Sequence, residues 1–141
     1  MSTVTVSITY NWHPVGLIQI DEASRLIFPK VPEVPGLYRF HFERGPETHT
    51  YIGETDRLRR RLQHYRTPGP TQSTNIRVGN LLLEVIALGI PVWLSVVTPP
   101  VDIEVARVRR HVDLARKSDR VLVEHAAIHA ARSEGTAVLN L

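Results

Sequence analysis

With 141 residues, 43% hydrophobic and 22% charged, the chain carries one domain's worth of globular sequence and excludes wholesale disorder. Its formal charge of +3 and pI of about 9.7 permit a polyanionic partner without requiring one. No apolar run approaches the ~20 residues of a membrane span, the N-terminus has no secretory pattern, and with no cysteine there is neither a disulfide framework nor a thiolate zinc site. A cytoplasmic protein that does not enter the membrane is therefore expected.

From Thr3 to Trp12, Val4, Val6, Ile8 and Tyr10 alternate with polar residues, the period of a half-buried strand. Leu17–Ile20 and Leu26–Phe28 follow as short strands around the turn-prone Asp21–Ser24. Pro29, Pro32 and Pro35 impose an extended entry. Leu37–Phe42 reads as a strand with Leu37, Arg39 and His41 on one face and Tyr38, Phe40 and Phe42 on the other. After a turn over Glu43–Thr48, His49–Gly53 returns to complete an antiparallel hairpin.

Asp56 is positioned to cap a helix that runs to about Arg66, with Leu58, Leu62 and Tyr65 as its apolar stripe. Asn80–Leu88 predicts a buried helix, and Val92–Val97 a strand, in which Trp93 is expected to pack in the core. Val101–Val112 suits either strand or helix. Ser118 or Asp119 is the expected cap of a last helix through Ala131, with Leu122, Ala126 and Ile128 facing the core. Val138–Leu141 closes the chain. The class is α+β: a small central antiparallel sheet of about three strands flanked by helices, with residues 1–34 as an N-terminal β extension packed on a domain over 35–141.

Gly36-Leu37-Tyr38 and Tyr51-Ile52-Gly53 lie in order at hairpin spacing. They are followed by Asp56, Leu58, Arg61 and Leu62 on a helix, by Glu124 on a late helix and by Asn140. Each tripeptide alone describes an ordinary strand, since strands favour aromatics and glycine marks bulges or close approaches. The full order from about Pro35 to Leu141 resembles the GIY-YIG nuclease superfamily. That resemblance implies a divalent-metal-dependent endonuclease that hydrolyses phosphodiester bonds, on DNA ahead of RNA, in DNA repair or a mobile element. It places Tyr38, Tyr51, Arg61, His64 and Glu124 in catalysis and Gly36 and Gly53 in the motif's framework. Glu124 would be the ligand of one Mg²⁺ or Mn²⁺ ion per site, an ion that prefers hard oxygen donors.

The chemistry accounts for this grouping. Arginine offers a permanent charge and a planar fork for phosphate. A tyrosine close to a metal and cations has its pKa drawn below ~10, so Tyr38 is the first choice of general base, with Tyr51 orienting water or phosphate; the two roles interchange. Arg57, Arg61 and His64 fall on one helical stripe, and Arg59, Arg60 and Arg66 broaden the positive surface. These arginines, with Asn140, are the candidate nucleic-acid contacts. Glu54 departs from the family pattern: its carboxylate either raises a neighbouring tyrosine's pKa or joins Thr55 and Asp56 in capping the helix. Glu84 and Glu104 stand outside the family order. His125 and His129 are spaced for zinc but lack a third ligand.

A single centre cuts one strand per engagement, and no appended DNA-binding module follows Leu141. Target specificity is thus expected from the N-terminal residues, a homodimer or a protein partner. The competing reading is a catalytically weakened module of the same fold that binds nucleic acid or protein.

Overall fold

The computed structural model describes residues 1–140. Its centre is the hairpin of β4 (Gly36–Arg44) and β5 (Glu47–Thr55), joined by Gly45-Pro46 and in register from Gly36 opposite Thr55 to Arg44 opposite Glu47. Strand β6 (Val92–Val97) pairs antiparallel with the other edge of β4. Outside β6 lie β2 (His13–Ile20) and β3 (Leu26–Ile27), while β9 (Ala137–Val138) runs parallel to β5. The sheet therefore reads β3-β2-β6-β4-β5-β9, and the three expected central strands form its middle. A second antiparallel sheet, β1-β7-β8, is built from β1 (Val6–Thr9), β7 (Asp102–Val105) and β8 (Val108–His111). The α+β class is as expected. The residues preceding Pro35 supply strands to both sheets.

Alternation along β4 divides the core in two. Tyr38, Phe40 and Phe42, with Tyr51 from β5, face α1 (Leu58–Arg66) and α2 (Ser73–Ala87), where Leu58, Leu62, Tyr65, Val78, Leu82 and Val85 complete one cluster. Leu37 and Ile52 face the opposite way onto α3 (Lys117–Ser133), packing with Val97, Ile103, Leu114, Val123 and Ala127. No helix among the described residues is long and apolar enough to cross a membrane.

Several local expectations give way to tertiary contacts. Asp56 is exposed and does not cap α1. Thr55 Oγ1 instead accepts from Arg57 N at 3.1 Å, so the helix starts one residue later. Its free amides are met by Glu33, whose Oε1 accepts from Arg59 N at 3.1 Å and Arg60 N at 3.5 Å. Helix α2 begins at Ser73, well before Asn80. The ambiguous segment after Pro100 is the β7–β8 hairpin, turned at Ala106 and Arg107 with φ of 48° and 69°.

Neither Ser118 nor Asp119 caps α3; Arg116 occupies the N-cap position. Its buried stripe is Arg120, Val123 and Ala127, a phase that leaves Leu122 exposed. Trp93 is 45% exposed, because Val92, Leu94 and Val96 take the core face of β6 and Trp93 lies opposite, beside exposed Leu17 on β2. Trp12 packs at the margin of the α3-side core with the Arg39 guanidinium 4.4 Å above its ring. Leu141 lies outside the described residues.

Candidate active site

Both motif glycines are required by close packing. A Cβ on Gly36 would collide with the Val97 carbonyl oxygen of β6. One on Gly53 would occupy the ring and hydroxyl of Tyr38, its register partner across the hairpin. Gly53 thus leaves the space into which Tyr38 folds, and the two tripeptides form one packing unit.

Tyr38 is fully buried, surrounded by Phe40, Tyr51 and Tyr65. Its hydroxyl shares a 2.7 Å hydrogen bond with the Tyr65 hydroxyl and accepts from Arg61 Nε at 3.0 Å. The Arg61 guanidinium also lies 5.4 Å from the Tyr65 ring centroid. Burial pushes the Tyr38 pKa up to about 12, outweighing the nearby Arg61 charge that favours the phenolate. Tyr65, buried beside it, is likewise raised. A desolvated phenol in a pocket of rings is a weak acid, and its oxygen orients Arg61; the expected lowering depends on a metal ion beside it. Tyr65, which by the family resemblance competes with His64 for a place in the site, lies on the apolar stripe and also brings its hydroxyl to Tyr38. Tyr51 is buried and stacks on Phe40 at 6.2 Å.

Glu124 projects from α3, half-buried. Burial raises its pKa and the charge of Glu54 raises it further, while His125, the Glu54 backbone amide and Arg61 act in the opposite sense. The fields of Arg61 on α1 and Glu54 on β5 therefore meet at one carboxylate. Glu54 does neither of the two things expected of it. Its Oε2 accepts from Arg120 Nε at 2.7 Å, and Lys117 Nζ lies 3.9 Å from Oε1. Arg120 is only 6% exposed and also donates to the carbonyls of Leu114 and Ala115. The sequence reading missed Arg120, which lies off the expected stripe of Leu122, Ala126 and Ile128 and whose partner lies 66 residues away.

No family model and no curated protein matches the chain. Among solved structures it is similar to a mutant form of bacteriophage T4 EndoII, at 19% identity and a TM-score of 0.47. The match covers 60% of this chain and 64% of that one, so it spans less than two thirds of the EndoII structure.

The basic residues of α1 divide by what they touch. Arg59 donates to Val31 O through Nε and Nη2, at 3.4 and 3.2 Å, and pins the proline-rich entry. Arg66 bonds Leu26 O at 2.7 Å and pairs with Asp21 Oδ2 at 2.6 Å. Both guanidinium groups are thus engaged in holding the fold. Arg57 and Arg60 are exposed, and neither side chain has a partner among the described residues, nor does that of His64. Asn140 braces the sheet edge: its Oδ1 accepts from Ile52 N at 3.0 Å and its Nδ2 donates to Ile52 O at 2.6 Å. That side chain continues the β5–β9 ladder where the strand ends. His125 and His129 are exposed on α3, and no cluster of three metal-ligating side chains occurs among the described residues.

Glu124 offers the hard oxygen donor of a carboxylate. Magnesium keeps most of its water shell and takes one or two carboxylates, so the half-buried Glu124 carboxylate is the residue that would hold such an ion.

Proposed function

We propose that the chain is a divalent-metal-dependent endonuclease acting on phosphodiester bonds in DNA through a GIY-YIG-like centre. The observation that carries this reading is the Tyr65–Tyr38–Arg61 hydrogen-bonded chain beside a perturbed Glu124. Arg61 spends one nitrogen on Tyr38, which leaves the rest of its fork for phosphate oxygens, where charge accumulates during displacement. Tyr38 and Tyr65 fix the guanidinium, so little reorganisation is needed when substrate arrives. Tyr51, packed beside Tyr38, orients the attacking water or the phosphate. His64, one turn beyond Arg61, contacts phosphate or supplies the proton needed by the leaving alkoxide. Glu124 would hold one Mg²⁺ or Mn²⁺, which supplies Lewis-acid charge at the phosphoryl oxygens when bound. Arg57 and Arg60 extend the positive surface along the strand's path. One centre cuts one strand, so double-strand scission calls for a second copy or sequential cuts.

The test is a panel of single-stranded, duplex, flapped and branched substrates with Mg²⁺, Mn²⁺ or chelator. Metal-dependent cleavage is expected, and Arg61→Ala and Glu124→Ala should each abolish it while circular dichroism stays native. Cleavage that survives in both variants refutes the assignment. Full burial and the raised pKa of Tyr38 favour a second reading, a binding module without turnover. In that case binding falls steeply with salt, and no metal produces cleavage of any substrate.

A further inference from the structure

We propose that the β7–β8 hairpin is a second nucleic-acid contact, laying its edge strand along the backbone of duplex DNA beside the cleavage centre. This rests on the reading that the chain engages DNA at the Tyr38–Arg61 centre. The hairpin carries Arg107 at its turn and Arg109, Arg110 and His111 on β8, and all four are exposed. Strand β8 is outermost in its sheet, so alternate backbone amides along its free edge have no strand partner. Two acids on β7, Asp102 and Glu104, lie across from His111 and Arg109. Asp102 accepts from Arg109 Nη2 at 2.6 Å and lies 2.6 Å from His111 Nδ1. These pairs sit on the face turned away from buried Ile103. Arg107 and Arg110 have no side-chain partner among the described residues. The tip and the free edge therefore carry positive charge without a counterpart.

The root of the hairpin lies at the centre. Val97, the last residue of β6, is opposite Leu37, whose other register partner is Glu54. The chain leaves that row for β7 and returns from β8 to Arg116 and Lys117, both exposed, where Lys117 Nζ lies 3.9 Å from Glu54 Oε1. Glu124 follows about two turns later on the same helix. From the root, the steps from Asp102 to Ala106 span about 13 Å at strand rise, close to four base-pair steps of ~3.4 Å. Arginine forks and edge amides both donate to phosphate. A backbone contact several steps from the bond that is cut fixes the register of the duplex on the centre, which one guanidinium does not. Strand β1 pairs with β7 from Val6 to Thr9, so the N-terminal segment braces this arm. Charge on an edge strand also deters strand pairing, but that role needs no placement beside Glu54.

Fluorescence anisotropy of a labelled duplex with the full chain, in chelator, measures this contact apart from catalysis. The double variant Arg107→Ala/Arg110→Ala removes two side chains that bond nothing in the fold, so circular dichroism should stay native. Affinity is expected to fall about tenfold. The slope of log K against log salt should flatten by about 2, since each duplex phosphate contact contributes ~0.9. The control Arg44→Ala/Arg132→Ala, matched in charge at the ends of β4 and α3 away from Glu54, should leave both nearly unchanged. Affinity and slope unchanged in the hairpin variant overturn the proposal, as does a wild-type chain that binds no duplex. An equal loss in the control also overturns it, because net charge alone then accounts for binding. So does a loss seen with single strands and not with duplex. Hairpin-dependent duplex binding without metal-supported cleavage of any substrate keeps the contact and removes the nuclease reading. Metal-dependent cleavage with a duplex affinity that ignores both arginines does the converse.

Discussion

Replacing Gly53 by alanine tests the packing unit at the heart of the site. The new methyl would occupy the space of the Tyr38 ring and hydroxyl, and Tyr38 cannot withdraw, since Phe40, Tyr51 and Tyr65 surround it. Overpacking of a filled core costs about 1–3 kcal/mol. Displacing Tyr38 also breaks its bonds to Tyr65 and Arg61, each worth about 1 kcal/mol. A loss of about 3 kcal/mol is therefore expected, which for a chain of this size lowers Tm by roughly 10 °C. Urea unfolding of Gly53→Ala, Tyr38→Ala and the double variant provides the measurement. Because the clash requires the Tyr38 ring, Gly53→Ala should cost far less in the Tyr38→Ala background. A Gly53→Ala protein within about 0.5 kcal/mol of wild type, or strict additivity in the cycle, refutes the packing account.

Three further outcomes follow from single contacts. Glu33→Ala should cost about 1 kcal/mol by uncapping α1, whereas Asp56→Ala should be close to neutral; urea midpoints that rank the other way overturn the long-range cap. Arg120→Ala strands the Glu54 carboxylate and should destabilise by about 3–5 kcal/mol; a smaller loss in Arg120→Ala than in Glu54→Gln, by chemical denaturation, contradicts that pairing. Burial and then the Arg39 charge depress the His41 pKa from 6.5 to about 4. The unfolded chain therefore binds this proton first, so His41's contribution is present above about pH 6.5 and lost as pH falls toward 4. A histidine NMR titration with its midpoint near 6.5 would contradict this, and His41→Asn should flatten the same window of the Tm–pH curve.

The strands β4, β5 and β6 were legible because their residues alternate with period two and are bounded by proline and glycine, signals that act within a few residues. The β7–β8 hairpin was not, because its turn uses Ala106 and Arg107 at positive φ, where glycine or asparagine would have announced it. Helix α1 was placed by its apolar stripe, but its capping residue was not, since Glu33 reaches it from another segment. On α3 the buried phase is set in part by the Glu54–Arg120 pair, so hydrophobicity alone misplaced Leu122.

By itself the sequence determined the β4–β5 hairpin, β6 and the apolar stripe of α1, because local periodicity and short-range turn chemistry fix strands and helix faces; the two tripeptides, Arg61 and Glu124 stood out only through the resemblance carried by their order. What those residues do was decided by the tertiary structure. Tyr38 is an acid weakened by burial and a support for Arg61; Arg59, Arg66 and Asn140 hold the fold; and Glu54 belongs to Arg120. Burial and charge neighbourhood set protonation and hydrogen bonding, and both are made by segments far apart in the chain.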